Sequence, residues 1–158
     1  SAAARSELGA RRFAIVDTDP HHGDGSWALF GDDPEVLYLC LCTGRLSDQG
    51  SNINLTVPYP SGDTAYLGLV EAEVLPRLAQ HRPELIFWNY GYDGLRGDYG
   101  DLGLSRDCPS RLAELLRGAA NGLCQGRLVV VLCGGARREL AAYTIPRIIR
   151  VLAALPPT

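Results

Sequence analysis

The stretch that most constrains this chain is Asp17-Thr18-Asp19-Pro20-His21-His22-Gly23-Asp24-Gly25. It gathers three carboxylates and two imidazoles directly behind the apolar run Phe13-Ala14-Ile15-Val16. That run is short, partly β-branched and closed by turn residues, so it reads as a buried strand. The polar cluster then falls at the strand's carboxyl end, where open parallel α/β sheets bind ligands. Asp19 and His21 are two apart, and extended backbone turns alternate side chains to one face, so both can point at one metal ion. A carboxylate oxygen with an imidazole nitrogen suits zinc, and a catalytic zinc site needs a third protein ligand and an open position.

A candidate third ligand lies downstream. Glu84-Leu85-Ile86-Phe87-Trp88-Asn89-Tyr90 is a second apolar strand, and it runs into Gly91-Tyr92-Asp93-Gly94. Asp93 sits just past the strand end, between glycines that permit a tight turn. If the two strands lie side by side, Asp19, His21 and Asp93 meet. On spacing alone Asp93 reads equally as a plain turn aspartate.

The rest of the chain sets the frame. Val36 to Cys42 and Leu128 to Cys133 are near-continuous apolar runs, as expected of strands covered on both faces. Helical spacing predicts helices over 63–79, 105–121 and 138–155, with a short one over 25–30. Asp63, Thr64 and Ser105 are candidate caps, and Asp24 is a candidate N-cap for the short helix. His81 reads as a solvated or capping histidine. Thr43 to Ser61 reads as one long polar loop, functional or plain surface. Strands alternating with helices argue an α/β fold with a mainly parallel sheet, in a single domain over 11–158 behind a flexible arm at 1–10. With 158 residues, 46% hydrophobic and 21% charged, the chain is long enough for a real core. A net charge of −3 leaves no electrostatic footprint for nucleic acid. No apolar run is long enough to span a bilayer. The five cysteines are Cys40, Cys42, Cys108, Cys124 and Cys133, with no C-x-x-C spacing. They fit a reduced, cytoplasmic setting. Cys40 and Cys42 share one strand face, where they either pack as small apolar residues or hold a metal.

VDTDPHHGDG, over Val16 to Gly25, resembles the metal-binding motif of the zinc-dependent histone deacetylase and acetylpolyamine amidohydrolase family. The resemblance continues in order through Val57-Pro58-Tyr59-Pro60-Ser61-Gly62-Asp63-Thr64-Ala65-Tyr66. It goes on through Arg82-Pro83-Glu84-Leu85-Ile86, Gly91-Tyr92-Asp93 and Gly97-Asp98-Tyr99-Gly100, and ends at Leu132-Cys133-Gly134-Gly135. It implies a three-layer α/β/α arginase-deacetylase-like fold, with one Zn2+ held by Asp19, His21 and Asp93. It further implies a monovalent cation near Asp17. Cys40 and Cys42 stand where the family has a serine and a histidine, and thiols are poor ligands for hard cations.

The resemblance also implies partners. The family carries an upstream pair of histidines as general base and acid, oriented by two aspartates that match Asp17 and Asp24. His22 matches a position behind the metal rather than the base. Only His21, His22 and His81 exist here, and there is no methionine. The chain therefore reads as the C-terminal half of the family fold: a fragment, a processed product or a split subunit. An N-terminal fragment, a companion chain or a like copy is expected to cover its sheet edge. Ala136 follows the two glycines, where the family commonly has an oxyanion-binding tyrosine. Arg137, Tyr92 and Tyr143 are candidate replacements. The expected activity is deacylation of acetyl-lysine or another acylated amine. A non-catalytic metal-binding or assembly subunit, and an arginase-like manganese hydrolase, are the alternatives.

Overall fold

The computed structural model describes residues 5–7 and 9–155. Five strands form one parallel sheet: β1 (Phe13–Asp17), β2 (Val36–Cys42), β3 (Asn52–Thr56), β4 (Leu85–Tyr90) and β5 (Leu128–Leu132). Their order is β3-β2-β1-β4-β5. The chain steps outward from β1 through β2 to β3, then returns to lay β4 against the other side of β1. The crevice between the carboxyl ends of β1 and β4 is thus the topological switch point, the position where such sheets place ligands.

Period-two alternation divides the sheet's side chains between two cores. Ala14, Val16, Leu39, Leu41, Ile86 and Trp88 face a large core. It is covered by α2 (Gly62–Leu69), a π-helical turn (Val70–Val74), α3 (Leu75–His81), α4 (Cys108–Cys124) and α5 (Arg138–Leu152). Phe13, Ile15, Tyr38, Cys40 and Cys42 face the opposite way, under α1 (Asp24–Phe30), whose Trp27 and Phe30 close that smaller core. Helices on both faces make the three-layer architecture. No helix among the described residues is long and apolar enough to cross a membrane.

Several elements differ from the sequence reading. The expected loop over 43–61 contains β3, so the sheet has five strands and not four. Ile53 and Leu55 alternate with Asn52 and Asn54, and both asparagines find partners: Asn52 Nδ2 donates to the Trp27 carbonyl, and Asn54 Nδ2 to the Gly44 carbonyl. Asp63 does not cap α2. Its carboxylate accepts the Ser105 N–H and hydroxyl, and α4 starts only at Cys108. Gly122 lies inside α4, which ends at Gln125 in a left-handed conformation. The 62–81 helix takes its π turn just before Pro76, which has no N–H to offer the helical ladder. Asp24 is the first residue of α1 rather than its cap, and Gly23 precedes it. His81 is neither a free surface residue nor a cap: its Nε2 lies 2.9 Å from the Phe13 carbonyl and pins α3 to β1. On α5, Ile149 is exposed, whereas Thr144 and Ile148 are buried.

Candidate metal centre

Three loops leave the carboxyl edge of the sheet and converge. β1 ends at Asp17, and the chain turns through Thr18, whose hydroxyl accepts the Trp88 indole N–H at 2.8 Å and donates to the Asn89 carbonyl at 3.1 Å. This anchors the following residues beside β4. Cys133 N–H donates to the Tyr90 carbonyl and Tyr92 N–H to the Gly134 carbonyl, both at 2.9 Å, carrying the β4–β5 pairing past the strand ends. Gly134 thereby comes to lie over the loop from β1.

Asp19, His21 and Asp93 meet at this point. His21 Nδ1 lies 3.0 Å from Asp19 Oδ1 and 3.0 Å from Asp93 Oδ2. Ligands of a tetrahedral zinc at about 2.0–2.1 Å stand roughly 3.3 Å apart, so the triangle needs only slight opening to accept the ion. Asp19 is held in place, because its Oδ1 accepts the His21 backbone N–H at 2.9 Å and its Oδ2 accepts the Gly134 N–H at 3.0 Å. Asp93 is fully buried, yet neither of its oxygens accepts a well-aligned hydrogen bond from the protein. Burial first, and then the neighbouring Asp19 carboxylate, push its carboxyl above the ordinary range. Buried polar atoms are almost always paired, so an orphaned carboxylate facing another carboxylate and an imidazole has the donor chemistry of a cation site. Gly91 and Gly134 keep the space open, since a Cβ on either would run into the carboxylates of Asp19 and Asp93.

The remaining expected residues surround this triangle. Asp17 is buried; its Oδ2 accepts the Tyr38 hydroxyl at 2.7 Å and the Asn89 amide at 3.1 Å, and its Oδ1 accepts the Asp19 N–H at 3.2 Å. Burial holds its carboxyl above the usual range despite those bonds. Asp24 is exposed, with Oδ1 3.8 Å from His22 Nε2. His22 turns away from His21, and its Nδ1 faces Cys40 and Cys42. The two thiols hold their protons unevenly: a hydrogen bond to Cys42, together with burial, pushes the Cys40 thiol up, while the same bond holds Cys42 down.

Two residues that the sequence reading did not single out complete the site. Asp98 is buried, and its carboxylate accepts the backbone N–H groups of Tyr99, Ala136 and Arg137. Desolvation opposes its charge, but these amides outweigh it and hold the carboxyl below its ordinary value. Asp98 thus staples the Gly134-Gly135 loop to the Asp93 loop. Tyr99 stacks on His21 with ring centroids 5.3 Å apart, and its hydroxyl accepts the Gly135 N–H at 3.3 Å. It lines, with Asp19 and Asn89, an open cavity of about 530 Å³. Desolvation and the Asp93 and Asp19 carboxylates keep its phenol protonated, against the pull of the Gly135 amide. The three candidates for the missing oxyanion donor are engaged elsewhere. The Tyr143 hydroxyl donates to Asp107, the Tyr92 hydroxyl to the Gly135 carbonyl, and the Arg137 guanidinium to Glu139 and the Gly97 carbonyl. The only local signal for Tyr99 was its place in Gly97-Asp98-Tyr99-Gly100.

Comparison with known proteins agrees with this geometry. The histone deacetylase domain family matches residues 1–152. The chain is 32% identical to histone deacetylase 6 of Caenorhabditis elegans, over 94% of its own length and 17% of that protein. It is 30% identical to the polyamine deacetylase HDAC10 of Mus musculus, over 94% of its own length and 25% of that protein. It thus spans a quarter or less of these two relatives. The solved structure of the histone deacetylase Clr3 superposes with a TM-score of 0.84 at 23% identity, covering 99% of this chain and 29% of that one, which establishes the arginase-deacetylase fold. The matching family domain, together with the shared fold, shows that this chain belongs to the histone deacetylase family.

Proposed function

We propose that this chain is the metal-binding half of a zinc-dependent amidohydrolase that removes acyl groups from acetyl-lysine or acetylated amines. The observation that carries the reading is the fully buried carboxylate of Asp93, set against the Asp19 carboxylate and the His21 imidazole without a well-aligned hydrogen bond of its own. Relatives named for histone and polyamine deacetylation support the substrate class. Asp19, His21 and Asp93 hold the ion, which when bound supplies Lewis acidity toward an acyl carbonyl and toward water. Tyr99 stands at the cavity rim as a protonated hydroxyl, placed by the Gly135 amide, and takes the oxyanion-binding role that Ala136 cannot fill.

No histidine of this chain is free to act as the general base. His21 faces the carboxylates, His22 faces the thiols, and His81 is bound to the Phe13 carbonyl. Asp17 and Asp24 are carboxylates at the cavity to which imidazoles from an N-terminal half would dock. That half would also pair with β5, beside which no described strand lies on the outer edge. A second reading, a metal-binding or assembly subunit without catalysis, is favoured by Ala136, which brings only a backbone amide to this loop, already bound by Asp98. A two-metal manganese hydrolase is disfavoured, since the neighbouring ligand cluster is thiol and imidazole rather than carboxylate.

The decisive experiment is metal analysis of the purified chain beside an Asp93→Ala variant, followed by acetyl-lysine peptide hydrolysis after adding a histidine-bearing N-terminal half. The proposal expects one zinc equivalent lost in the variant and activity only in the mixture. Zinc content unchanged by Asp93→Ala overturns the site. Zinc lost but no hydrolysis in the mixture moves the chain to the non-catalytic reading.

A further inference from the structure

The side chains of His21 and His22 are adjacent in sequence but serve opposite sides of their loop. His21 faces two carboxylates, whereas His22 faces two sulfurs that the carboxylate site leaves unused. Cys40 and Cys42 alternate on one face of β2, and both are fully buried. Cys40 Sγ lies 3.5 Å and Cys42 Sγ 3.8 Å from His22 Nδ1. One nitrogen and two sulfurs thus lie within 4.8 Å of one another. A tetrahedral ion with metal–sulfur bonds of about 2.3 Å and a metal–nitrogen bond of about 2.0–2.1 Å needs a sulfur-to-nitrogen separation of roughly 3.6 Å. The two observed separations bracket that value.

We propose that His22, Cys40 and Cys42 form a second metal site, selective for a thiophilic divalent ion of the zinc type. Two thiolates neutralise a divalent cation, so the ion enters this buried face without leaving net charge there. Soft sulfur ligands discriminate against the hard cations that the neighbouring oxygen-rich site tolerates. His22 is already oriented as a ligand. Trp27 packs against its ring with centroids 4.8 Å apart, and its distal Nε2 faces Asp24 Oδ1 at 3.8 Å. In the metal-free chain Cys42 donates to Asn54 Oδ1 at 3.2 Å. Binding replaces the two S–H bonds with two metal–sulfur bonds and releases both protons to solvent, with no change of oxidation state. Three protein ligands leave a fourth position for water or an added ligand. The site does not depend on the Asp19, His21 and Asp93 assignment.

The experiment uses zinc alone as the probe, with X-ray absorption at the zinc edge on the purified chain and on Asp93→Ala. In Asp93→Ala the carboxylate site is broken, so the zinc that remains should show two sulfur neighbours at about 2.3 Å. The double variant Cys40→Ser/Cys42→Ser should lose that shell and one zinc equivalent, while Asp93→Ala keeps both. An Asp93→Ala chain that binds no zinc, or binds it through nitrogen and oxygen only, overturns the proposal. That reading needs no cysteine variant, so it holds even if the double variant fails to fold. Cobalt substitution gives a second check: a thiolate-to-cobalt charge-transfer band should persist in Asp93→Ala, and its absence in the unaltered chain overturns the site.

Discussion

At the scale of single residues, Asp93 is a buried carboxylate under electrostatic tension. Its carboxyl binds a proton more tightly in the folded chain than in the unfolded one, because it is buried and faces Asp19. Without metal, the stability linked to that proton is complete below the ordinary carboxylate value of 3.8 and is lost as pH rises through the raised folded value. Asp93→Asn removes the charge, so in the presence of chelator it should raise stability at neutral pH by about 1–3 kcal/mol, the scale of one uncompensated buried polar group. Urea titrations at stepped pH measure this, and the gain should shrink toward acid. A variant less stable than the parent at neutral pH would show that His21 already neutralises the carboxylate. On the proposed ligand role of Asp93, added zinc should reverse this ranking. Asp98 has the opposite sign, since its amide partners favour the carboxylate. Its support of the glycine loop is therefore greatest above the ordinary carboxylate range and fades as pH falls through its lowered value.

At the scale of elements, the glycine loop after β5 is the most exacting part. Gly134→Ala directs a methyl at the carboxylates of Asp19 and Asp93 and should weaken zinc binding by about 10–100-fold while leaving helix content unchanged. Competition with a chromophoric chelator reads the first and far-ultraviolet circular dichroism the second. Unchanged affinity would mean that the loop yields and that the close approach is incidental. The strands legible in the sequence were those with unbroken apolar runs, β1, β2, β4 and β5. β3 was hidden because Asn52 and Asn54 lower its apparent strand character, and the carbonyls that accept their Nδ2 groups, those of Trp27 and Gly44, lie elsewhere in the sequence. α4 was placed too early: the Ser105 hydroxyl accepts the Asp107 N–H, but this turn precedes the helix, which starts at Cys108. Asp19 and His21 lie beyond the end of β1, so a turn in which Asp19 accepts the His21 N–H, and not strand alternation, brings them together. Asp93 needed the β1–β4 neighbourhood, which spacing alone does not give. Tyr99 and Asp98 depend on the path of a glycine-rich loop, and no local periodicity encodes that path.

At the scale of the molecule, the sheet is asymmetric. β1 lies at its centre, while the outer strand β5 leaves Val129, Val131 and Leu132 exposed. An apolar strand with an open edge pairs with whatever matches it. Sedimentation should show concentration-dependent association of the purified chain, and Val131→Lys should reduce it; a parent chain that stays monomeric at high concentration would argue against pairing through this edge. The central position of β1 has another consequence. Its loop holds Asp19 and His21, but Asp93 arrives only when β4 has docked from about seventy residues away in the chain. Metal retention is therefore a property of the whole domain and not of the motif. An ion bound there would favour the folded chain over the unfolded one, since only the folded chain brings the three groups together. On the proposed metal role, the local supply of the ion would then help to set how long a folded molecule survives.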